Sequence, residues 1–144
     1  MQPRGIRNKN PGNIRKSFEK WQGLDSRQLD RDFFQFTAPE WGIRAIARIL
    51  LTYQAKYGLK SVKDIIGRWA PPTENDTAAY VKNVAKKLGV GVTAAIDASD
   101  PAVMRPLVEA IIMHENGQQP YPAGLLDKAM ELAGLKPNKG TDHA

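Results

Sequence analysis

A chain of 144 residues lies in the size range of one domain, and folding at that length removes about two-thirds of the unfolded surface from water. With 42% hydrophobic and 25% charged residues, the composition excludes an intrinsically disordered chain. It contains no cysteine, which rules out disulfides and thiolate metal ligands and suits synthesis in a reducing cytoplasm. The formal net charge of +6 favours polyanionic partners, among them nucleic acid, anionic lipid and the acidic bacterial cell wall. A nucleic-acid reader concentrates its cations on one element. Here they are spread over most segments, apart from Arg4, Arg7, Lys9, Arg15 and Lys16, so no specific nucleic-acid partner is expected.

Along the chain, residues 1–37 read as irregular structure, because Asn10-Pro11-Gly12-Asn13 is a strong turn signal and Gly5 and Gly23 add breakpoints. The first residues carry no apolar stretch of the kind a secretory signal needs, and no window approaches the roughly 20 apolar residues of a membrane span. The expectation is a protein made in the cytoplasm that acts at the wall only after release or delivery. Residues 32–36, with Phe34 and Phe36 flanking Gln35, suit a short strand.

From residue 39 onward the period changes. Ile43, Ile46, Ile49, Leu50 and Tyr53 recur at spacings of three and four, which predicts an amphipathic helix over 39–57, with Pro39 in the first turn and Gly58 past the end. Ser61 as N-cap, Asp64 at the third position and inward Val62, Ile65 and Ile66 predict a second helix up to Trp69, stopped by Ala70-Pro71-Pro72. Asn75 or Asp76 caps a third through Leu88, with Tyr80, Val84 and Leu88 on one stripe and Gly89 ending it. A short piece is expected near 93–96. Ser99-Asp100-Pro101 then opens a segment running to about His114, in which Pro106 predicts a kink or a restart. A last helix spans about 123–132, ahead of Gly134. The reading is one domain over 1–136, mainly α with a short β or irregular N-terminal segment, and a flexible polar tail over 137–144.

Glu115 is the residue with most to say. It lies four positions after Ile111 and three after Ile112, on the apolar face and just before Gly117, so it stands at the mouth of a core. Partial desolvation there favours a protonated carboxyl, the form that gives a proton to a leaving sugar oxygen. The plain alternative is a carboxylate at a helix end that reaches water. Tyr80 and Thr77, after the loop 69–76, form a second candidate group, and Tyr80 is equally a core residue of its own stripe. Trp21, Trp41 and Trp69 offer flat faces for sugar rings, one of them expected at a groove, with Tyr121 a further platform. Asp30, Asp32, Glu40, Glu74 and Asp76 are candidate second carboxylates, since glycosidases commonly use a pair, and each is also explained as a loop acid or cap. His114 and His143 lack metal-site spacing, and no phosphate-binding loop is present. No metal or cofactor is implied.

The stretch 4–15 with Trp21-Gln22-Gly23, Phe34-Gln35-Phe36 and Trp41-Gly42-Ile43-Arg44-Ala45, followed by Trp69-Ala70-Pro71 through Tyr80 and His114-Glu115-Asn116-Gly117 to Tyr121, resembles a family of phage and prophage proteins. These are described as virion structural proteins or as lysozyme-like enzymes of the endolysin or virion-associated type. The resemblance covers most of the chain and its motifs are specific in combination. Their order is similar to a circularly permuted relative of glucosaminidases and lytic transglycosylases, with the Asn-rich turn and Phe-rich strand ahead of the glutamate helix. The resemblance implies a lysozyme-like domain that cleaves peptidoglycan glycan strands, as a muramidase, lytic transglycosylase or glucosaminidase, with Glu115 as general acid. Thr77 and Tyr80 are similar to a Thr-Asp-x-x-Tyr segment, although here Asp76 precedes Thr77. Asn10 and Asn13 would line the cleft near Glu115, and Trp69, Tyr121 and Asn116 would touch substrate. Implied partners are peptidoglycan and other virion proteins. The competing expectation is a virion or tail protein that binds the wall or its neighbours without cutting.

Overall fold

The computed structural model describes residues 2–136; the expected flexible tail over 137–144 lies outside them. Six helices follow one another: α1 (Arg4–Arg7), α2 (Pro39–Tyr57), α3 (Val62–Trp69), α4 (Thr77–Leu88), α5 (Pro101–Asn116) and α6 (Ala123–Leu132). The fold is thus mainly α with a non-helical N-terminal region. The ends of the helices follow from their residues. Ser61 accepts from the Asp64 N–H, Asp76 from Ala79 and Asp100 from Ala102, so orphan amide donors in the first turns are satisfied. Gly58, Gly89 and Gly117 terminate α2, α4 and α5 in the left-handed conformation, which costs glycine nothing sterically.

The core is built where the apolar stripes of five helices meet. Ile43, Ile46 and Leu50 of α2, Ile65 and Ile66 of α3, Tyr80 and Val84 of α4, Leu107 and Ile111 of α5 and Leu126 of α6 are all buried in it. The most extensive pairings are α2 with α6, α4 with α5 and α3 with α4. Burying each large side chain contributes roughly 1.5–3 kcal/mol. A second, smaller cluster of Phe34, Phe36 and Ala45, backed by Trp21, Leu24 and Trp41, fastens the N-terminal region to α2.

Several expectations need correction. Residues 4–7 form a short helix inside the segment expected to be irregular; it begins after Pro3 and has too few residues to show a period. Residues 32–36 are extended but make only single antiparallel bridges, Arg15 with Phe33 and Leu24 with Phe36. The Phe34 carbonyl accepts from the Asn10 side chain, and the Gln35 carbonyl accepts from the Gln28 side chain beside its bridge bond, so no ladder forms. The short piece expected near 93–96 is not a regular element: the chain turns over 92–94 and is irregular over 95–97. α5 runs unbroken through Pro106 to Asn116, two residues beyond the expected end. Pro106 sits in the second turn, where its missing N–H removes one intrahelical bond and the rest of the ladder continues.

Candidate functional site

Four elements converge on Glu115. It lies in the last turn of α5, with Asn116 after it as the final helical residue. Its Oε1 accepts from the Asn13 amide at 3.1 Å and its Oε2 from the Tyr80 hydroxyl at 2.8 Å. The Tyr80 oxygen in turn accepts from the Trp69 indole N–H at 3.1 Å. A relay of donors therefore runs from the end of α3 through the first turn of α4 to the carboxylate.

The supporting parts are rigid. Tyr80 is 0% exposed, and its ring stacks on His114 with centroids 3.6 Å apart and planes 20° from parallel. Burial, and after it the neighbouring Glu115 charge, pushes the Tyr80 hydroxyl far above the ordinary phenol range, so it stays a neutral donor. Asn13 holds φ of 50°, a left-handed conformation that Asn tolerates better than most residues. That turn is pinned to α5 because the Asn116 amide donates to the Pro11 carbonyl at 2.8 Å and to Ile112 at 3.0 Å. A Cβ on Gly5 would press on the side-chain oxygens of Asn13 and Asn116 at 2.8 and 2.6 Å, so α1 approaches this corner only because residue 5 is glycine.

Glu115 opens onto a cleft of about 360 Å³ whose lining includes Asn13, Tyr53, Trp69, Pro71, Glu74 and Asn75. Glu115 and Glu74 are its only acids. Glu74 is exposed and paired with Arg15 at 3.0 Å.

The residues singled out from sequence fall into two groups. Glu115, Tyr80, Trp69 and Asn13 are brought together as described. Asn10 is not at the cleft surface: it is 0% exposed, and its side chain bonds the Ile14 and Phe34 carbonyls and the Ile14 N–H, so it shapes the turn that presents Asn13. Thr77 donates to the Ala70 carbonyl, closing the 70–77 loop, and is not part of the cleft lining. Asn116 holds the turn, as above, and likewise lies outside the lining. Tyr121 packs against the main core; its hydroxyl is buried without a partner, and burial pushes it up to about 12. Of the other carboxylates, Asp30 and Asp32 are bound to Arg4, Asp76 caps α4 and Glu40 sits in the first turn of α2 outside the cleft lining, which leaves Glu74 as the one candidate second acid in the cleft. Trp21 lines an adjoining groove, and Trp41 packs against the smaller cluster. Ile49 and Tyr53, read from sequence as core, stand at the edge of the α2 stripe and line the cleft. The stacking of His114 on Tyr80 had no sequence signal, since the two are 34 positions apart. Among the described residues no cluster of three or more His, Asp or Glu is placed to hold a metal ion, and no helix is long and apolar enough to cross a membrane.

Fold and site together define a small, mainly helical protein with one carboxylate held by an amide and a phenol at the lip of an aromatic-lined cleft. No family model matches the sequence. It is 44% identical over 132 residues to Protein P5 of Pseudoalteromonas phage PM2, an alignment that takes in 89% of this chain and 80% of that protein. The chain belongs to the family of this bacteriophage protein.

Proposed function

We propose that this protein is a lysozyme-like enzyme that cleaves the glycan strands of peptidoglycan, with Glu115 as its general acid. The observation that carries the reading is the double anchoring of Glu115 by Asn13 and Tyr80 beside the Trp69 face in an open cleft. Both oxygens are fixed in direction, and each retains a lone pair for the cleft. The protonated acid gives its proton to the glycosidic oxygen as the C–O bond breaks. The negative charge that forms on Glu115 is met by two donors already in place, so these bonds strengthen as the transition state is approached. The positive charge on the sugar is resolved by water or by the sugar's own hydroxyl, whose proton returns to Glu115. The hydroxyl route needs no second carboxylate, which suits a cleft whose other acid is paired with Arg15. On this reading the protein acts at the cell wall after release or delivery.

A phage protein that binds the wall or other virion proteins without cutting is the competing reading, and the phage source of the relative is compatible with it. The test is fragment release from purified peptidoglycan, followed by mass. Wild type should release fragments whose ends identify the bond and the route. Glu115→Gln, which keeps the shape and an acceptor, should lose about 10³-fold or more in rate while retaining its circular dichroism spectrum. Wall binding by wild type with no fragment release would leave the non-cutting reading.

A further inference from the structure

The Glu115 cleft does not end at Tyr53. Ile14, Ile49 and Tyr53 also line a second groove of about 550 Å³, which continues along α2 to Tyr57 and Arg68. Its charges are unbalanced: Lys20, Arg44, Arg48 and Arg68 line it against one acid, Glu19. None of these four cations forms an ion pair among the described residues, unlike Arg4, Arg15 and Arg105.

Two of the cations are fixed in place. The Arg44 Nε–H donates to the Leu132 carbonyl at 3.1 Å, and an Arg48 N–H donates to Ala133 at 3.0 Å. These bonds complement the carbonyl end of α6. Each guanidinium has five N–H donors, so most remain for another acceptor. Burial pulls Arg44 below its ordinary value and the neighbouring Arg48 charge adds to it; a bound anion would relieve that second, repulsive part.

We infer that this groove is the carboxylate-recognising arm of the substrate site, with Arg44, Arg48 and Arg68 binding the acidic peptide stems carried by a peptidoglycan strand whose sugar backbone lies across Glu115. The inference rests on the reading of the cleft proposed above and adds the substituent that sets specificity. Planar guanidinium groups held in advance match carboxylates bidentately. A single-stranded nucleic acid fits less well, because it needs open aromatic faces for its bases. The Tyr57 ring already carries Arg68 at 3.9 Å and Lys56 at 5.4 Å.

The experiment measures binding of the full chain to soluble glycan fragments with free-acid stems, to the same fragments with the stem carboxylates amidated, and to a single-stranded oligonucleotide. Wild type should bind the free-acid fragments roughly tenfold or more tightly than the amidated ones, with the preference fading as salt is raised. The double variant Arg48→Gln, Arg68→Gln should lose that preference and bind amidated fragments as wild type does. Arg48→Lys, Arg68→Lys should recover part of it, and circular dichroism confirms that both variants fold. Equal binding of the two fragment types, binding of neither, or tighter binding of the oligonucleotide overturns the inference. Cleavage is scored separately in the same samples. Carboxylate preference without cleavage removes the enzymatic reading alone, and cleavage without preference removes the anion arm alone.

Discussion

From residue 39 onward the interior is made of Ile, Leu, Val and Met side chains at helical spacing, whereas residues 4–38 are organised around polar side chains. Asn10 is buried on three hydrogen bonds. The Gln28 side chain clasps the Gln35 backbone, accepting from the Gln35 N–H at 2.8 Å and donating to the Gln35 carbonyl at 2.7 Å, while the Gln35 side chain accepts from the Asp30 N–H at 2.9 Å. Asp30 gathers the Arg4 guanidinium, the Asn8 amide and the Asp32 and Phe33 N–H groups. Apolar burial is non-directional and tolerates small shifts. A buried amide with every donor and acceptor engaged fixes one geometry and penalises all others. The region that places Asn13 on Glu115 is thus the one whose stability is concentrated in a few atoms.

The sharpest way to break this arrangement is Asn10→Ala. It leaves the Ile14 N–H and the Ile14 and Phe34 carbonyls without their partner, at about 3 kcal/mol, far more than the small side chain removed would cost by area. Urea denaturation should show that loss. The activity proposed for Glu115 should fall with it, since Ile14 follows Asn13 directly. A loss under about 1 kcal/mol with full activity would mean that water replaces the amide and that the region is not held as described.

This contrast also explains which parts could be read from sequence. Helices α2, α3, α4 and α6 were legible to within a residue because stripes such as Ile43, Ile46 and Leu50 and caps such as Ser61 and Asp76 are local patterns. The same logic put Glu115 at the end of an apolar face. That its partners are Asn13 and Tyr80, 102 and 35 positions away, is a property of packing that no period encodes. Asn10 was misplaced for the same reason: an Asn-rich turn signals polar side chains but not whether they face a cleft or their own backbone. The Phe34–Phe36 alternation was real, yet a strand needs a partner ladder, and here Asn8, Ile14 and Gln28 supply scattered bonds in its stead.

A second way to probe the polar region is acid. The Arg4 hydrogen bond, first among several, holds Asp30 well below the usual carboxylate range. A group depressed in the folded state contributes stability above its unfolded value, near 4, and loses it as pH falls toward the folded value. Residues 4–38 should therefore loosen below about pH 4, while helices without such a carboxylate persist. Asp30→Asn should remove about 1–2 kcal/mol at neutral pH, a modest figure because Arg4 is 42% exposed and screened, and should flatten the acid limb. Hydrogen exchange of the Phe33 and Phe34 amides against those of α5 reads both effects. Simultaneous loss of protection in both regions would show that they unfold as one unit.

The smallest expected change runs in the opposite direction and tests the helical part. Gly67 lies within α3, and a Cβ there meets nothing within 4 Å. Gly67→Ala should stabilise by about 0.5–1 kcal/mol, through helix propensity and a less flexible unfolded chain. Gly42 is also helical, but its Cβ would run into the Lys9 carbonyl and Pro11, so the same substitution there should destabilise by separating α2 from the turn that carries Asn13. Thermal melts of the two variants should move in opposite directions. If both rise, the turn yields to α2, and the close seating of residues 9–13 is not what holds Asn13 against Glu115.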